Sequence, residues 1–229
     1  MENASYGQFC PVSMAAEVIG GRWTVLILRE MLCGSTRFND LRRGVPRMSP
    51  SLLSKRLKEL EQSGVVQTAP TPSGVLEYRL TAAGEALRPV VMAIGGWGQA
   101  WIESQVSLRN LDPSLLMWDM RRHLRPEPLP PRRCTIQFLY PELPQARQAW
   151  WLVVDGGAVD LCSQDPGFEL DLLVTASLRT MTVIWMGLAR VAPEVSAGRM
   201  TLDGDPTLAR SMQDWLGLSP FAGVDRKAG

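Results

Sequence analysis

The sequence predicts two domains of different class: a mainly α N-terminal domain that carries one β-hairpin, and an α+β C-terminal domain. Three observations carry this expectation. The chain has 229 residues, long enough to bury two modest cores. Apolar residues recur at steps of three and four through much of the first hundred positions, whereas strand-like runs dominate after Arg133, and these patterns belong to helices and strands respectively. Between them Arg125–Arg133 reads RPEPLPPRR, with four prolines in nine residues, which no regular helix or central strand accepts. The expected domains span 1–106 and 107–229, with 125–133 as a proline-rich connection.

In chain order, residues 12–33 place Val18, Ile19, Trp23, Ile27, Leu28, Met31 and Leu32 at helical spacing, interrupted by Gly20-Gly21. This predicts two short helices meeting there. Gly34 should end the second, and Ser35 or Thr36 can cap a brief third helix built on Phe38 and Leu41 that stops before Pro46. Ser49-Pro50 is a helix start, the serine as cap and the proline at the first helical position. That helix runs to about Ser63, where Gly64 stops it. Val65–Thr68 and Val75–Leu80 flank Pro70, Pro72, Ser73 and Gly74, a hairpin signature. Thr81 can cap one long final helix reaching about Gln105, with Leu87, Val91, Ile94, Trp97 and Trp101 on its apolar stripe.

The second half predicts a helix near Leu115–Leu124, then strands at Thr135–Tyr140, Ala149–Val154, Ala158–Ser163 and Phe168–Thr175. The turn Asp155-Gly156-Gly157 joins the middle pair. A helix over Ser177–Ala189, a short strand at Met200–Leu202 and a closing helix over Pro206–Leu216 complete an α+β order.

Composition excludes several classes. Hydrophobic residues make up 45% and charged residues 21% of the chain, with a net charge of +1, so neither disorder nor a global field for a polyanion or membrane is indicated. Cys10, Cys33, Cys134 and Cys162 are far apart, and His123 is the one histidine. No zinc site, other metal site, cofactor or disulfide framework is expected from them. With one histidine and no P-loop, HExxH or dinucleotide fingerprint, an enzyme is not expected. The start, MENASYGQFC, lacks the pattern of a secretory leader, and the apolar stretch 90–101 is short and broken by three glycines. A cytoplasmic protein without a membrane span is the expectation.

Charge is informative locally. From Arg37 to Lys58 there are seven basic residues, Arg37, Arg42, Arg43, Arg47, Lys55, Arg56 and Lys58, against the single acid Asp40. Such a stripe in a neutral chain suits a polyanion, although Glu59 and Glu61 also allow an ordinary solvated surface. On the helix 50–63, Leu53, Leu57 and Leu60 share one stripe, while Ser51, Lys55, Lys58 and Gln62 share the opposite one. Short hydroxyls can reach base edges and lysines can neutralise phosphate. Ser49, Ser51, Ser54 and Lys55, near the N-terminal end of the helix, are the readout candidates. Arg56 lies nearer the core flank.

Four separated stretches add a resemblance: CPVSMAAEVIGGRW (Cys10–Trp23), LILREMLCGSTRFNDL (Leu26–Leu41), SPSLLSKRLKELEQSGVV (Ser49–Val66) and EYRLTAAG (Glu77–Gly84). In this order and at these separations they resemble the HxlR-type family of winged helix-turn-helix transcription regulators, over roughly positions 10–105. The resemblance implies a homodimer on duplex DNA, a recognition helix at 50–63, a wing at 65–80 and dimerisation through terminal helices. Leu87, Val91, Ile94, Trp97 and Trp101 are then the expected dimer contacts, with an intramolecular core as the other use of the same stripe. The wing departs from the usual basic pattern, offering Arg79 beside Glu77, so Arg37, Arg42, Arg43 and Arg47 are expected to carry phosphate contacts. The resemblance also implies a redox or electrophile switch at Cys10; a small apolar residue at the dimer seam is the alternative.

Beyond about Asp112 the hairpin WWLVVDGGAVDLC, the strand FELDLLVTAS and the stretch TVIWMGLARVAPEVSAGRMTLDGDPTLA resemble the sterol-carrier-protein-2-like (SCP2-like) fold, a sheet with helices over an apolar tunnel. Phe138, Trp151, Leu173, Trp185 and Met186 are its candidate linings, and ordinary core filling is the alternative for each. The pairing predicts a DNA-binding repressor modulated by a hydrophobic small molecule. The alternatives are an apolar-ligand carrier whose winged helix mainly dimerises, and a Cys10-based redox-sensing repressor.

Overall fold

The computed structural model describes residues 5–103 and 108–228. It divides into two compact units, Met1–Gly95 and Gly96–Gly229.

The first unit contains α1 (Pro11–Ile19), α2 (Thr24–Leu32), α3 (Phe38–Gly44), α4 (Pro50–Gln62), a hairpin of β1 (Val66–Pro70) and β2 (Leu76–Leu80), α5 (Ala82–Glu85) and the start of α6 (Arg88–Trp101). Its core gathers Ile27, Leu28, Leu41, Leu53, Leu57, Leu60 and Val66, all nearly inaccessible. Gly34 and Gly64 end α2 and α4 at positive φ (93° and 74°), the left-handed step that only glycine takes without strain. Neither Ser35 nor Thr36 caps α3: Arg37 holds that position without a side-chain bond, and Ser35 is buried. The single helix expected after Thr81 is broken between Glu85 and Arg88. Pro89 has no amide to continue the ladder and sits in the first turn of α6, where that loss is harmless. The expected end of this helix, Gln105, lies outside the described residues.

The second unit begins within α6, whose last turns bond to it: the Gln99 side chain donates to the Met186 carbonyl at 3.1 Å, and the Lys227 amide to the Ala100 carbonyl at 2.7 Å. It continues through α7 (Pro113–His123), β3 (Cys134–Leu139), α8 (Gln145–Gln148), β4 (Ala149–Asp155), β5 (Ala158–Cys162), β6 (Leu172–Ala176), α9 (Leu178–Trp185), α10 (Val191–Ser196), β7 (Met200–Gly204), α11 (Pro206–Arg210) and α12 (Met212–Trp215). The sheet order is β5-β4-β3-β6-β7, antiparallel except for the parallel β3–β6 pair. Asp155 pairs with Ala158 across Gly156 and Gly157, both at positive φ (56° and 83°), as a tight hairpin requires. Strand β6 is shorter than expected, and Phe168–Asp171 lies outside it. Helix α9 stops early because Gly187 (φ 74°) turns the chain. The sequence reading missed α10, whose Pro193 falls in the first turn and is tolerated there. The expected closing helix splits at Ser211. Among the described residues no single helix is long and apolar enough to cross a membrane.

Candidate nucleic-acid interface

The candidate surface is built on α4. Ser49 adopts an extended backbone, and its hydroxyl accepts the Leu52 amide at 3.3 Å, satisfying one of the free amides at the helix start. Leu53, Leu57 and Leu60 are 0%, 1% and 2% exposed, which fixes the rotation of the helix. The opposite face therefore projects Ser51, Ser54, Lys55 and Lys58 into solvent. Arg56 turns inward, as its position on the flank suggested, and pairs with Glu59 at 2.5 Å.

All ten sequence-predicted DNA contacts are exposed: Arg37, Arg42, Arg43, Arg47, Ser49, Ser51, Ser54, Lys55, Lys58 and Arg79. Their charge is unevenly free. Glu77 lies 3.9 Å from Arg37 and 2.9 Å from Arg79, so the two arginines of this corner share one carboxylate. Asp40 approaches Arg43 at 3.5 Å and Glu59 approaches Lys55 at 3.9 Å. Exposed pairs of this kind contribute about 1 kcal/mol or less, so a phosphate can displace them. The Tyr78 amide donates to the Thr36 carbonyl at 2.8 Å, tying the hairpin to the loop between α2 and α3. At the hairpin tip, beside Gly74, Val75 and Leu76 are exposed.

Sequence reasoning missed the brace behind this surface. Glu30 is wholly buried, and Arg29 donates to it through Nε (3.0 Å) and Nη2 (2.6 Å). Arg29 Nη2 also donates to the Gly44 carbonyl at 2.9 Å. A Cβ on Gly44 would lie 1.8 Å from Glu30 Cδ, so glycine is required there by proximity. A glutamate amid apolar neighbours in α2 was the available signal.

The HxlR-like helix-turn-helix family matches residues 18–106. The uncharacterized HTH-type transcriptional regulator YvaP of Bacillus subtilis is 38% identical over 99 residues, covering 42% of this chain and 92% of its own. The chain belongs to this family. It is a DNA-binding transcriptional regulator of the HxlR type. An uncharacterized regulator of Mycobacterium bovis is 40% identical over 95 residues, 40% of this chain and 58% of that protein. The reduced form of the B. subtilis regulator YodB aligns at 33% identity with a TM-score of 0.36, covering 40% of this chain and 93% of that one.

In this HxlR-like regulator Cys10 is exposed at the N-cap of α1. Its thiol pKa is lowered, chiefly by the Ser13 amide and then by that of Val12. Cys134, by contrast, is pushed up by burial.

The expected dimer stripe divides. Val91 is buried in the first unit's core and is corrected to an intramolecular contact, whereas Leu87, half-buried, packs against that core on one side. Pro89 resets the helix after Leu87, so the stripe does not run straight through. Ile94, Trp97 and Trp101 are 46%, 61% and 51% exposed. Helix α1 has no buried residue, and Phe9, Val12 and Met14 stand open beside it or on it. The sequence reading did not single these three out, although three large apolar groups around Cys10-Pro11 were a visible sign.

The sheet divides the five expected tunnel residues, and Trp151 and Leu173 are corrected to the face away from Phe138. Phe138 pairs with Trp150 and Val174, whereas Gln137 pairs with Trp151 and Leu173. Alternation puts Phe138 on one face of the sheet and Trp151 and Leu173 on the other. Phe138 and Trp185 belong to the buried core, with Met186 packed against it. The five cannot line one cavity.

Proposed function

We propose that this regulator binds its operator as a homodimer and represses transcription, with α4 lying in the major groove. The observation that carries the reading is the rotation of α4: three leucines inward, and Ser51, Ser54, Lys55 and Lys58 outward. Serine hydroxyls reach base edges, while Lys55, Lys58, Arg42 and Arg47 neutralise flanking phosphates. Exposed Ile94, Trp97 and Trp101 along α6 supply apolar surface for a second copy, and Phe9, Val12 and Met14 supply further apolar surface within the first unit, since patches of large apolar side chains mark association surfaces. A two-fold dimer places two half-sites about 34 Å apart, one helical turn of DNA. In vitro selection from random duplex tests this. The expected product is a palindrome with half-sites about ten base pairs apart; an unenriched pool would overturn the reading.

A second reading concerns control, and Cys10 favours it. Its exposure, its place at a helix N-terminus and its lowered pKa are the conditions under which a thiol reacts as thiolate. Oxidation or alkylation at Cys10, beside the apolar residues of α1, would then alter dimer geometry and operator affinity. Loss of operator binding under mild oxidant in the parent chain, and its retention in Cys10→Ser, is the expected pattern. Equal sensitivity of both proteins would remove Cys10 from the mechanism.

The second unit is read as an SCP2-like effector module. Any apolar effector would occupy the core side of the sheet, near Phe138, Trp185 and Met186. Saturable binding of a hydrophobic fluorophore to the parent, weakened by Met186→Ala, is the expected result; no saturable binding would leave this unit without an effector role.

A further inference from the structure

A cleft of about 300 Å³ opens in the first unit between α1, the turn before α2 and the end of α4, lined in part by Glu17, Val18, Gly21, Arg56, Glu59 and Leu60. Its size is at the lower end of small-molecule sites. The hydrogen-bonding capacity around it is unevenly spent. Glu17 Oε1 already accepts the Ser5 hydroxyl (2.8 Å) and the Tyr6 amide (2.7 Å). Glu59 Oε2 accepts Arg56 Nη1 at 2.5 Å, and Glu59 Oε1 lies 3.9 Å from Lys55 Nζ. Arg56 Nε, however, is buried without any hydrogen-bond partner. A buried donor left unpaired is costly and uncommon in a native fold.

The same chain shows what an arginine does with this edge elsewhere. Arg199 grips Glu194 with Nε at 2.6 Å and Nη2 at 2.8 Å. Arg29 holds Glu30 with the same two nitrogens, at 3.0 and 2.6 Å, both on the single oxygen Oε1. Nε and Nη2 form the flat side of the guanidinium fork, which matches the two oxygens of a carboxylate. On Arg56 the end nitrogen Nη1 is taken by Glu59, and the flat side has no carboxylate. Gly21 gives the group its room, since a Cβ there would come within 3.3 Å of Arg56 Cζ. Val18 and Leu60 offer apolar surface in the same cleft.

We infer that this cleft is a binding site for a small carboxylate with a compact apolar body, its two oxygens on Nε and Nη2 of Arg56 and its body against Val18 and Leu60. A modest turn of the Arg56 side chain, which Glu59 can follow, brings the buried Nε to the ligand. The lining residues all belong to the first unit, and Cys10 is not among them. Its occupancy does not depend on the operator reading, although Arg56 stands on α4 and a ligand there adjoins the DNA-reading helix.

Sodium benzoate is a suitable probe, with benzamide as its uncharged counterpart, titrated into the full chain without DNA. Calorimetry gives the affinity, and the side-chain Nε–Hε resonance of Arg56 in a proton–nitrogen NMR spectrum gives the location. The expected result is saturable binding of one benzoate per chain at about 1 mM or tighter, a shifted Arg56 resonance, and at least tenfold weaker binding of benzamide. Arg56→Lys keeps the charge but loses the fork, and Val18→Trp fills the cleft from an exposed position while leaving Arg56 intact. Each should weaken benzoate at least tenfold. Benzoate that does not saturate, that leaves the Arg56 resonance unmoved, or that binds Val18→Trp as it binds the parent would overturn the inference.

Discussion

Gly44→Ala should unfold the DNA-binding unit at markedly lower temperature, although it adds one methyl group. The new Cβ would stand 1.8 Å from Glu30 Cδ, 1.9 Å from Oε2 and 2.4 Å from Cγ, and both residues are buried. The carboxylate must leave its place. In leaving it loses Arg29 at 2.6 and 3.0 Å, and Arg29 is drawn off the Gly44 carbonyl. Breaking a buried ion pair costs about 3–5 kcal/mol. The Arg29 side chain is 28% exposed, so water screens part of this and about 3 kcal/mol is the better figure. For a unit of this size that corresponds to roughly 12–24 °C in Tm. Thermal and urea denaturation of the full chain, following the transition of the first unit, would measure it. The control is a double-mutant cycle with Glu30→Ala, which removes the group that clashes: Gly44→Ala should cost far less in that background. A Gly44→Ala protein within about 0.5 kcal/mol of the parent, or a cycle that adds without coupling, would refute the reasoning.

Three further outcomes follow from the geometry. Because its pKa is lowered, Cys10 should be alkylated near neutral pH well before Cys134, whose pKa burial raises; rates against pH, read by peptide mass spectrometry, should show a Cys10 midpoint below that of a free thiol. Trp97→Lys puts a charge on the exposed α6 stripe and should shift sedimentation toward monomer and weaken operator binding, with an unchanged circular dichroism spectrum. Asp205 caps α11, accepting the Thr207 and Leu208 amides at 2.7 and 3.2 Å, which hold its carboxyl below the usual carboxylate range. Its contribution is therefore present above the unfolded carboxylate pKa and lost as pH falls through the lower folded value, so Asp205→Ala should show a flatter acid limb in stability against pH.

The extent and rotation of α4 were legible in the sequence because local signals decide them. Ser49-Pro50 starts α4, Gly64 stops it, and the leucine spacing sets its rotation, so the outward residues follow from periodicity alone. The hairpin turn at Gly156-Gly157 was legible for the same reason. What failed required parity or tertiary context. Phe138 and Trp151 are both large and apolar, but only strand pairing reveals that Phe138 sits opposite Trp150 and that Trp151 faces the other way; a one-residue offset reverses the face. Pro89 was visible, yet the apolar steps continued across it and masked the break in the helix. The parallel β3–β6 pairing, the burial of Val91 and the Arg29–Glu30–Gly44 brace depend on contacts between distant segments, which a local pattern does not encode.

In the proposed mode of DNA binding, α4 offers Lys55 and Lys58 to phosphate. The most direct test of this mode is the salt dependence of operator affinity, measured by fluorescence anisotropy for the parent and the Lys55→Ala/Lys58→Ala double variant. Each phosphate contact contributes about 0.9 to the slope of log K against log salt, so the variant should bind more weakly with a slope shallower by about 1.8. A variant with the parent's slope, whatever its affinity, would mean that these lysines do not touch DNA and that α4 is not the reading helix.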